Sequence, residues 1–516
     1  MIRPVGPTLQ ILPPELAGRI SDNLPIALGI LAAYVAVFLG ITYIARRKYS
    51  ESLSDYVVAS RGLSWIVASL TLVATVLSGV GMAGFPGTVY SVGIPFITMI
   101  LVGYAATAPA IWYLGRRMWV VGNEHDLNTP GDLLGDYYQS DTVRLYTVLA
   151  SVAFNTTYIV AQLLAGGLIL TVLTGGIVPF NIGVLILATV VTLHVVGTGM
   201  RGIAYLDTFN GALISVLLAI FGGFIILNAG SVGAVFTQLG DSMGGYTAVP
   251  GVTSLFTPEV IVLFGILVTV GNSLVAPASW IRMYSVDSER NFARIAATMV
   301  GVFTLIYVFG TSFIGLHGRT VLPNISNPDT VSSLLAFEVM PFSLASLFLV
   351  GILAAIVSTT DSYAHVMAAT VVRDFAKSIV KSDLTERSEL LLNKLVIVVT
   401  MIVGIVGALV YPGLITPLAL IVGGATVQLL PPLVGAVAWP RASSEAAIIS
   451  PAVGAISLVL FQLHLLPNPF VTPLVPGLVT ASVLNIVVFV ATSYLTSPQP
   501  LDKIEQYHGV IYERLS

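Results

Sequence analysis

Hydrophobic residues gather into long runs along the chain, and shorter polar segments separate these runs. Because a helix needs about 20 mostly apolar residues to cross a bilayer, the pattern predicts thirteen membrane-spanning helices. Their predicted bounds are 24–44, 63–88, 95–115, 143–173, 181–199, 203–229, 258–283, 295–316, 343–373, 391–410, 413–437, 445–465 and 473–496. The gaps between them are too short for a soluble domain of ordinary size. The pattern therefore predicts one all-α polytopic membrane protein over residues 1–516.

Composition agrees with a membrane protein and excludes several other classes. Only 9% of the residues are charged and 56% are hydrophobic, whereas about 25% of the residues of ordinary soluble proteins are charged. The net charge of −3 argues against a nucleic-acid partner, since nucleic-acid binders carry a basic face. The chain has no cysteine, which excludes disulfides, thiolate metal sites and a cysteine nucleophile. Membrane lipid is the expected surrounding.

The distribution of Lys and Arg predicts the orientation of the spans. If the N-terminus lies outside the cell, all 22 Lys and Arg residues except Arg3, Arg19 and Arg319 fall on or near the cytoplasmic side. Cytoplasmic loops of membrane proteins carry such an excess of positive charge. An odd number of spans then places the C-terminus in the cytoplasm. The first run, 24–44, ends in basic residues and lacks a small-residue cleavage pattern, so it predicts a retained peripheral helix and not a signal peptide.

Two acidic residues fall inside the predicted spans, Asp207 in the sixth and Asp361 in the ninth. An ionisable residue at membrane depth is costly and is a candidate functional group for that reason. Each could bind a cation or a proton, or could make a hydrogen bond in helix packing. For the histidines within spans, His194, His365 and His464, we expect a packing role.

The ninth span carries a polar face near its middle. Ala355, Ser358, Thr359 and Ser362 are spaced i, i+3, i+4 and i+7, so they share one side of a helix. A hard cation such as sodium takes oxygen ligands, and hydroxyl groups supply oxygen without adding charge to the bilayer. The alternative is that each hydroxyl only donates to the carbonyl four residues earlier in its own helix.

The second and seventh spans contain residues that break helices. The second has Gly79, Gly81, Gly84, Pro86 and Gly87, and the seventh has Gly271-Asn272-Ser273 followed by Pro277. Carbonyl groups freed by a break can coordinate a cation beside a protected cavity. Interrupted helices at corresponding places in two halves are typical of transporters. The second span is the first helix of a five-helix set, 63–229, and the seventh span is the first helix of another, 258–437. Because each set has an odd number of helices, the two sets are inverted relative to each other.

Several motifs in order along the chain carry a family resemblance. They are Asp55-Tyr-Val-Val-Ala-Ser-Arg-Gly-Leu-Ser-Trp65, Ala74-x-x-Leu77-Ser78, Gly84-Phe-Pro-Gly-Thr-Val-Tyr90, the glycine-rich segment 197–207, Pro277-Ala-Ser-Trp-Ile-Arg282, Ala355-x-x-Ser358-Thr359 and Gln428-Leu-Leu-Pro-Pro432. Together they resemble the sodium/solute symporter family, which includes sodium/proline, sodium/sugar, pantothenate and monocarboxylate symporters. The resemblance implies a LeuT-type fold of five plus five helices, with one helix before and two after, at 445–496.

The resemblance also implies a sodium site and, in some members, a second cation site. The sodium ligands would be the carbonyls of Ala74, Leu77 and Ala355 and the hydroxyls of Ser358 and Thr359. The second site would use Ser78, Asp207, Ser358, Asp361 and Ser362. The chain departs from the family pattern at Asp361, where a hydroxyl residue is usual. Sodium is the expected coupling ion.

A substrate pocket is expected between the two broken helices. Its predicted members are Gly79, Met82, Tyr158, Gln162, Thr269, Asn272 and Ser273, each of which could instead serve only in helix packing. No Arg or Lys belongs to this set, so an anionic substrate would rely on helix N-termini, N–H groups and hydroxyls.

The resemblance favours a sodium-coupled symporter that imports a monocarboxylate or a pantothenate-like acid by alternating access, with proline or another small amino acid as the alternative. A monomeric functional unit in the plasma membrane is expected. The alternatives from other classes are an integral membrane enzyme, a transporter-like sensor and a channel. The six histidines form no metal-binding spacing, and we therefore predict that the protein is not an enzyme.

Overall fold

The computed structural model describes residues 12–48, 62–242, 245–252, 256–380, 383–411, 413–462, 465 and 475–516. Over these residues the chain is helical, and the only extended pairing is an isolated bridge between Leu63 and Val286. The predicted all-α fold class is confirmed. Residues 55–61 of the first motif, and residues 463, 464, 473 and 474 of the predicted spans, lie outside the described residues.

Among the described residues, two helices precede the predicted repeats. They are α1 (Pro14–Asp22) and α2 (Leu24–Lys48). Large apolar side chains of α2 such as Leu39 and Tyr43 are more than half exposed, which is expected for a peripheral helix that faces lipid.

The first predicted repeat contains seven α-helices in the structure. Their bounds are α3 (Trp65–Val76), α4 (Phe85–Val92), α5 (Ile94–Ala110), α6 (Arg116–Glu124), α7 (Pro130–Tyr137), α8 (Asp141–Leu173) and α9 (Phe180–Ala229). A π-helical turn, Val80–Gly84, leads into α4, and another, Ile111–Gly115, joins α5 to α6.

Helix α9 contains a sharp kink at Gly199. The helix has 50 residues, or about 75 Å at 1.5 Å per residue, which is more than twice the thickness of a bilayer core. Gly199 has φ 59° and ψ −160° inside it, and glycine tolerates this region because it has no Cβ. The kink lies between the predicted spans 181–199 and 203–229.

The second predicted repeat follows α10 (Val232–Ser242). Its helices are α11 (Pro258–Phe264), α12 (Gly271–Val275), α13 (Pro277–Ser285), α14 (Phe292–Leu305), α15 (Phe313–Val321), α16 (Val331–Val339), α17 (Phe342–Ala369), α18 (Glu386–Val410), α19 (Ile415–Val427) and α20 (Leu430–Ala438). The π-helical segments Gly265–Val270, Ile306–Ser312 and Thr370–Ile379 extend or join them.

Four helices complete the chain, namely α21 (Ser444–Gln462), α22 (Val475–Leu495), α23 (Leu501–Ile504) and α24 (Val510–Leu515). The C-terminal segment is anchored on α7, because Lys503 Nζ and Tyr507 OH lie 2.6 and 2.5 Å from Asp136 Oδ2. Burial alone would raise the pKa of Asp136, but the hydrogen bonds from Lys503 and Tyr507 outweigh it and lower that pKa. The carboxylate therefore stays charged and holds the segment in place.

Eleven helical stretches among the described residues are long and apolar enough to cross a membrane. The kinked α9 is one of them, and the broken pair α3 and α4 is not among them. The membrane-protein class is thus confirmed, while the count of thirteen spans and the bounds of the two repeats stay predictions.

Helix α17 lies at the centre of the protein. All side chains from 348 to 370 are buried, and the helix packs against α8 and α9. A helix whose side chains are buried all round occupies an interior position. The polar face with Ser358 and Thr359 is therefore enclosed by protein and does not face lipid.

Candidate functional site

The first broken helix opens at Leu77. Helix α3 ends at Val76, and Leu77 has φ −71° and ψ 80°, which are not helical angles. The N–H of Gly81 would donate to the Leu77 carbonyl in a regular helix, but it donates to Ser78 Oγ at 3.3 Å. The Leu77 carbonyl thereby loses its helical donor, as the predicted sodium site requires.

Thr359 connects this break to α17. Its Oγ1 donates to the Ala355 carbonyl at 2.9 Å and lies 3.3 Å from the Ala74 carbonyl oxygen. Three oxygen atoms of the predicted sodium site are therefore close together between α3 and α17. The contact with Ala355 is the back-bond expected of any helical threonine, whereas the contact with Ala74 joins two helices and has no such local explanation. Oxygen groups of this kind are the ligands of hard cations.

Asp207 is fully buried on α9 and accepts hydrogen bonds from three other helices. Its Oδ2 accepts from Arg282 Nη2 at 2.8 Å and from Thr71 Oγ1, while its Oδ1 accepts from Ser358 Oγ. Arg282 itself is only 1% exposed, so both members of the ion pair are buried within the protein. Burial of this ion pair is compensated by hydrogen bonds, as buried charges require.

The structure divides the predicted second cation site. Asp207, Ser358 and Ser362 are brought together, with Ser362 Oγ in contact with the guanidinium of Arg282. Ser78 has a different hydrogen-bond partner, since its Oγ lies 3.2 Å from the hydroxyl of Tyr158 on α8.

Asp361 makes its hydrogen bond with a partner outside this group. Its Oδ2 lies 2.7 Å from Nδ1 of His194, and both side chains are fully buried. The ring of Phe38 packs against His194 with 5.1 Å between the ring centroids. The acid that departs from the family pattern thus has a histidine partner on α9.

The second broken helix is interrupted at Ala276 and not at Gly271. Gly271 is helical, and a Cβ added there would lie 3.1 Å from Val427 of α19. The break is at Ala276, with φ −58° and ψ 124°, directly before Pro277. The expected unwound stretch 271–277 is therefore shorter than predicted.

A cavity of about 90 Å³ lies between the two broken helices. Four predicted pocket residues, Tyr158, Thr269, Asn272 and Ser273, line it. The other lining residues are Phe85, Ile100, Tyr104, Phe154, Phe264, Val268, Ala276, Ser279 and Tyr363. None of the lining residues is charged. A larger cavity of about 470 Å³, between Leu12 and the loop 321–326, contains none of the predicted site residues.

Three predicted pocket residues, Gly79, Met82 and Gln162, do not line this cavity. The N–H of Gly79 donates to Gln162 Oε1 at 2.7 Å, and the carbonyl of Met82 accepts from Ser332 Oγ at 2.6 Å. These contacts fix the first broken helix against α8 and α16. In the structure these three residues therefore take part in contacts between helices, which is the alternative to a role in the pocket.

Aromatic rings form much of the cavity wall, and the sequence interpretation missed most of them. The rings of Tyr158 and Tyr363 are 4.7 Å apart, and Phe154 packs on Tyr158 at 5.3 Å. Phe154 precedes Tyr158 by one helical turn, so its i, i+4 spacing from a predicted pocket residue is a signal in the sequence. Tyr363 had no comparable signal.

The chain matches proteins of known class over most of its length. Residues 56–454 match a family model described as the sodium:solute symporter family. The sodium/pantothenate symporter of Escherichia coli (strain K12) is 27% identical over 382 residues, which cover 72% of this chain and 77% of that protein. The high-affinity proline transporter PutP of Bacillus subtilis (strain 168) is 23% identical over 375 residues, covering 70% and 76%.

Two solved structures share the fold. A Na+-coupled sialic acid symporter in a substrate-bound outward-open state superposes with a TM-score of 0.77 at 18% identity, covering 92% of this chain and 98% of that one. A nucleobase-cation-symport-1 family transporter in a closed conformation superposes with a TM-score of 0.53 at 16% identity, covering 88% and 97%. Similarity at this identity concerns the fold, and it confirms the LeuT-type class.

Proposed function

Because the chain belongs to the sodium:solute symporter family and is a sodium-coupled membrane transporter rather than an enzyme, we propose that it imports a small organic acid. A monocarboxylate or a pantothenate-like acid is the proposed solute, and alternating access is the proposed mechanism.

The observation that carries the sodium part of the proposal is the group of oxygen atoms at the first helix break. The carbonyls of Ala74 and Ala355 meet the hydroxyl of Thr359 there, and the Leu77 carbonyl has lost its helical donor. We assign sodium to these three carbonyls and to the hydroxyls of Ser358 and Thr359. A cation at this position would hold α3 against α17 and favour the outward-open state that receives the solute.

The cavity between the broken helices is the proposed solute site. It has no acidic side chain that would repel a carboxylate, and Ala276 and Ser279 line it at the N-terminal end of α13. The first N–H groups of a helix lack helical acceptors and favour negative charge. The similarity to a sodium/pantothenate symporter supports an acid, and the similarity to a proline transporter keeps proline as the second candidate.

Uptake into proteoliposomes under an imposed sodium gradient tests the proposal. Labelled lactate, pyruvate, acetate, pantothenate and proline are compared with and without the gradient. Sodium-dependent accumulation of one of the acids supports the proposal. Accumulation of proline alone selects the second candidate, and accumulation that ignores sodium contradicts the sodium site.

Ser358→Ala and Thr359→Ala are each expected to weaken apparent sodium affinity by about tenfold to a hundredfold. The reason is that a hydrogen-bond-strength contact with a charged group contributes roughly 1.5–3 kcal/mol. Sodium dependence of thermal stability in detergent measures the effect without a solute. The matched control is Thr360→Ala, because the buried Thr360 hydroxyl only donates to Ile356 of its own helix, at 2.6 Å. Unchanged sodium affinity in both site variants would remove the assignment.

We also propose that the N-terminus lies outside and the C-terminus in the cytoplasm, with a single chain as the functional unit. Because the chain has no cysteine, one introduced cysteine reports orientation directly. Ser516→Cys should react with a membrane-impermeant maleimide only after cells are opened. Asn324→Cys, on the opposite predicted side, should react in intact cells. The reverse pattern would invert the proposed orientation.

A further inference from the structure

The guanidinium of Arg282 lies inside the group of oxygen atoms predicted to bind a second cation. Its Nη2 donates to Asp207 Oδ2 at 2.8 Å and to Ser362 Oγ, and its Nε donates to Thr71 Oγ1 at 2.9 Å. Its Nη1 donates to the Ala278 carbonyl at 3.0 Å. All three nitrogen atoms of the guanidinium are therefore hydrogen-bonded in a buried position.

These oxygen atoms already bind a cationic side chain, the guanidinium of Arg282. Asp207 supplies the one negative charge of the group, and Arg282 neutralises it. The hydroxyl of Ser358 donates to Asp207 Oδ1. Ser78 Oγ lies beside the hydroxyl of Tyr158, and Asp361 Oδ2 is bound to His194. Asp361 Oδ1 has no hydrogen-bond partner among the described residues, so the carboxylate that is already paired with a cation is that of Asp207. The residues present do not fit a second sodium ion.

We propose that Arg282 is a tethered cation that takes the place of a second sodium ion, so that one sodium ion binds per protein. This inference rests on the proposed function, because it presupposes a sodium ion at the first helix break. A sodium ion about 4 Å from a guanidinium, at an effective dielectric constant of about 20, binds about a thousandfold more weakly than without that neighbour.

Because Arg282 is part of a helix, its guanidinium joins three helices and stays with the protein during transport. Arg282 belongs to α13 of the second broken helix, whereas Asp207 is on α9 and Ser362 is on α17. The ion pair therefore joins three helices around the first sodium site. A dissolved ion would leave this place during transport, but the guanidinium remains attached to α13. The driving force on the solute then comes from the single sodium ion at the first break.

Counting bound sodium on the purified protein tests the inference without knowledge of the solute. Equilibrium dialysis against radioactive sodium in detergent should give one ion per wild-type protein. Arg282→Ala, purified and assayed in high sodium, should bind two, because the second ion replaces the lost cation beside Asp207. The double variant Arg282→Ala with Asp207→Asn removes both charges and should bind one.

Each result decides the matter. Two sodium ions on the wild type, or only one on Arg282→Ala, would overturn the role given to Arg282 and leave the proposed function standing. No sodium on the wild type would overturn the proposed function and the inference with it. If Arg282→Ala does not fold, the wild-type count and the charge-neutral double variant still decide, because two ions on either contradict the inference.

Discussion

Ser273→Trp is expected to lower solute uptake by about a hundredfold or more, the size of effect that misplacement of a bound reactant produces in enzymes. Ser273 lines the cavity of about 90 Å³ between the broken helices, and an indole ring there would occupy the space of the solute. The sodium oxygens belong to α3 and α17 and are not touched by this change. Uptake in proteoliposomes and sodium-dependent thermal stability measure the two functions separately.

The matched control for this prediction is Ile266→Trp in the same span. Ile266 is 44% exposed, so a tryptophan there faces lipid and should leave uptake near the wild-type rate. Because coupling between two ligands is reciprocal, sodium affinity in Ser273→Trp should also stop responding to added solute. Normal uptake by Ser273→Trp would show that the solute does not pass through this cavity.

The helix breaks show how far the sequence could locate the site. Proline locates the second break, because the residue before a proline tends to avoid helical angles and Ala276 precedes Pro277 there. It does not locate the first break, because Phe85, directly before Pro86, keeps the helical angles φ −66° and ψ −46°. Glycine was ambiguous. Gly271 stays helical and allows close packing against Val427, and Gly79 lies where a Cβ would meet Ala165 at 2.5 Å. A glycine can permit unwinding or close approach, and only the neighbouring helix decides between them.

The buried ion pair could not be found from local pattern. Asp207 and Arg282 are separated by 75 residues, and Arg282 lies near a predicted span end, where a basic residue fits the usual charge bias. The acid at position 207 was recognised because its cost in the membrane is visible in sequence. Its partner depends on the packing of α13 against α3 and α17, which no periodicity encodes. The same limit applies to Tyr363, whose ring reaches the cavity only because α17 packs against α8.

Arg282→Ala is expected to destabilise the protein by roughly 3–5 kcal/mol when sodium is absent, because removal of one partner leaves the other buried charge without compensation. Asp207 would then be a buried carboxylate with only the hydroxyls of Thr71 and Ser358 as donors. Thermal unfolding in detergent, with choline chloride at matched ionic strength, measures the loss. Adding Asp207→Asn to this variant should recover much of the stability, since the double variant has no unpaired charge.

Sodium should also stabilise Arg282→Ala more than it stabilises the wild type. An ion that binds only the folded state raises stability by an amount that grows with the logarithm of its concentration over its dissociation constant, and a second site adds a term of its own. The double variant should respond to sodium as the wild type does, because it lacks the charge that attracts the second ion. If Arg282→Ala were as stable as the wild type in choline chloride, the pair would be no more than a loose contact. The helices around the first sodium site would then have to be held together by the packing of α17 alone.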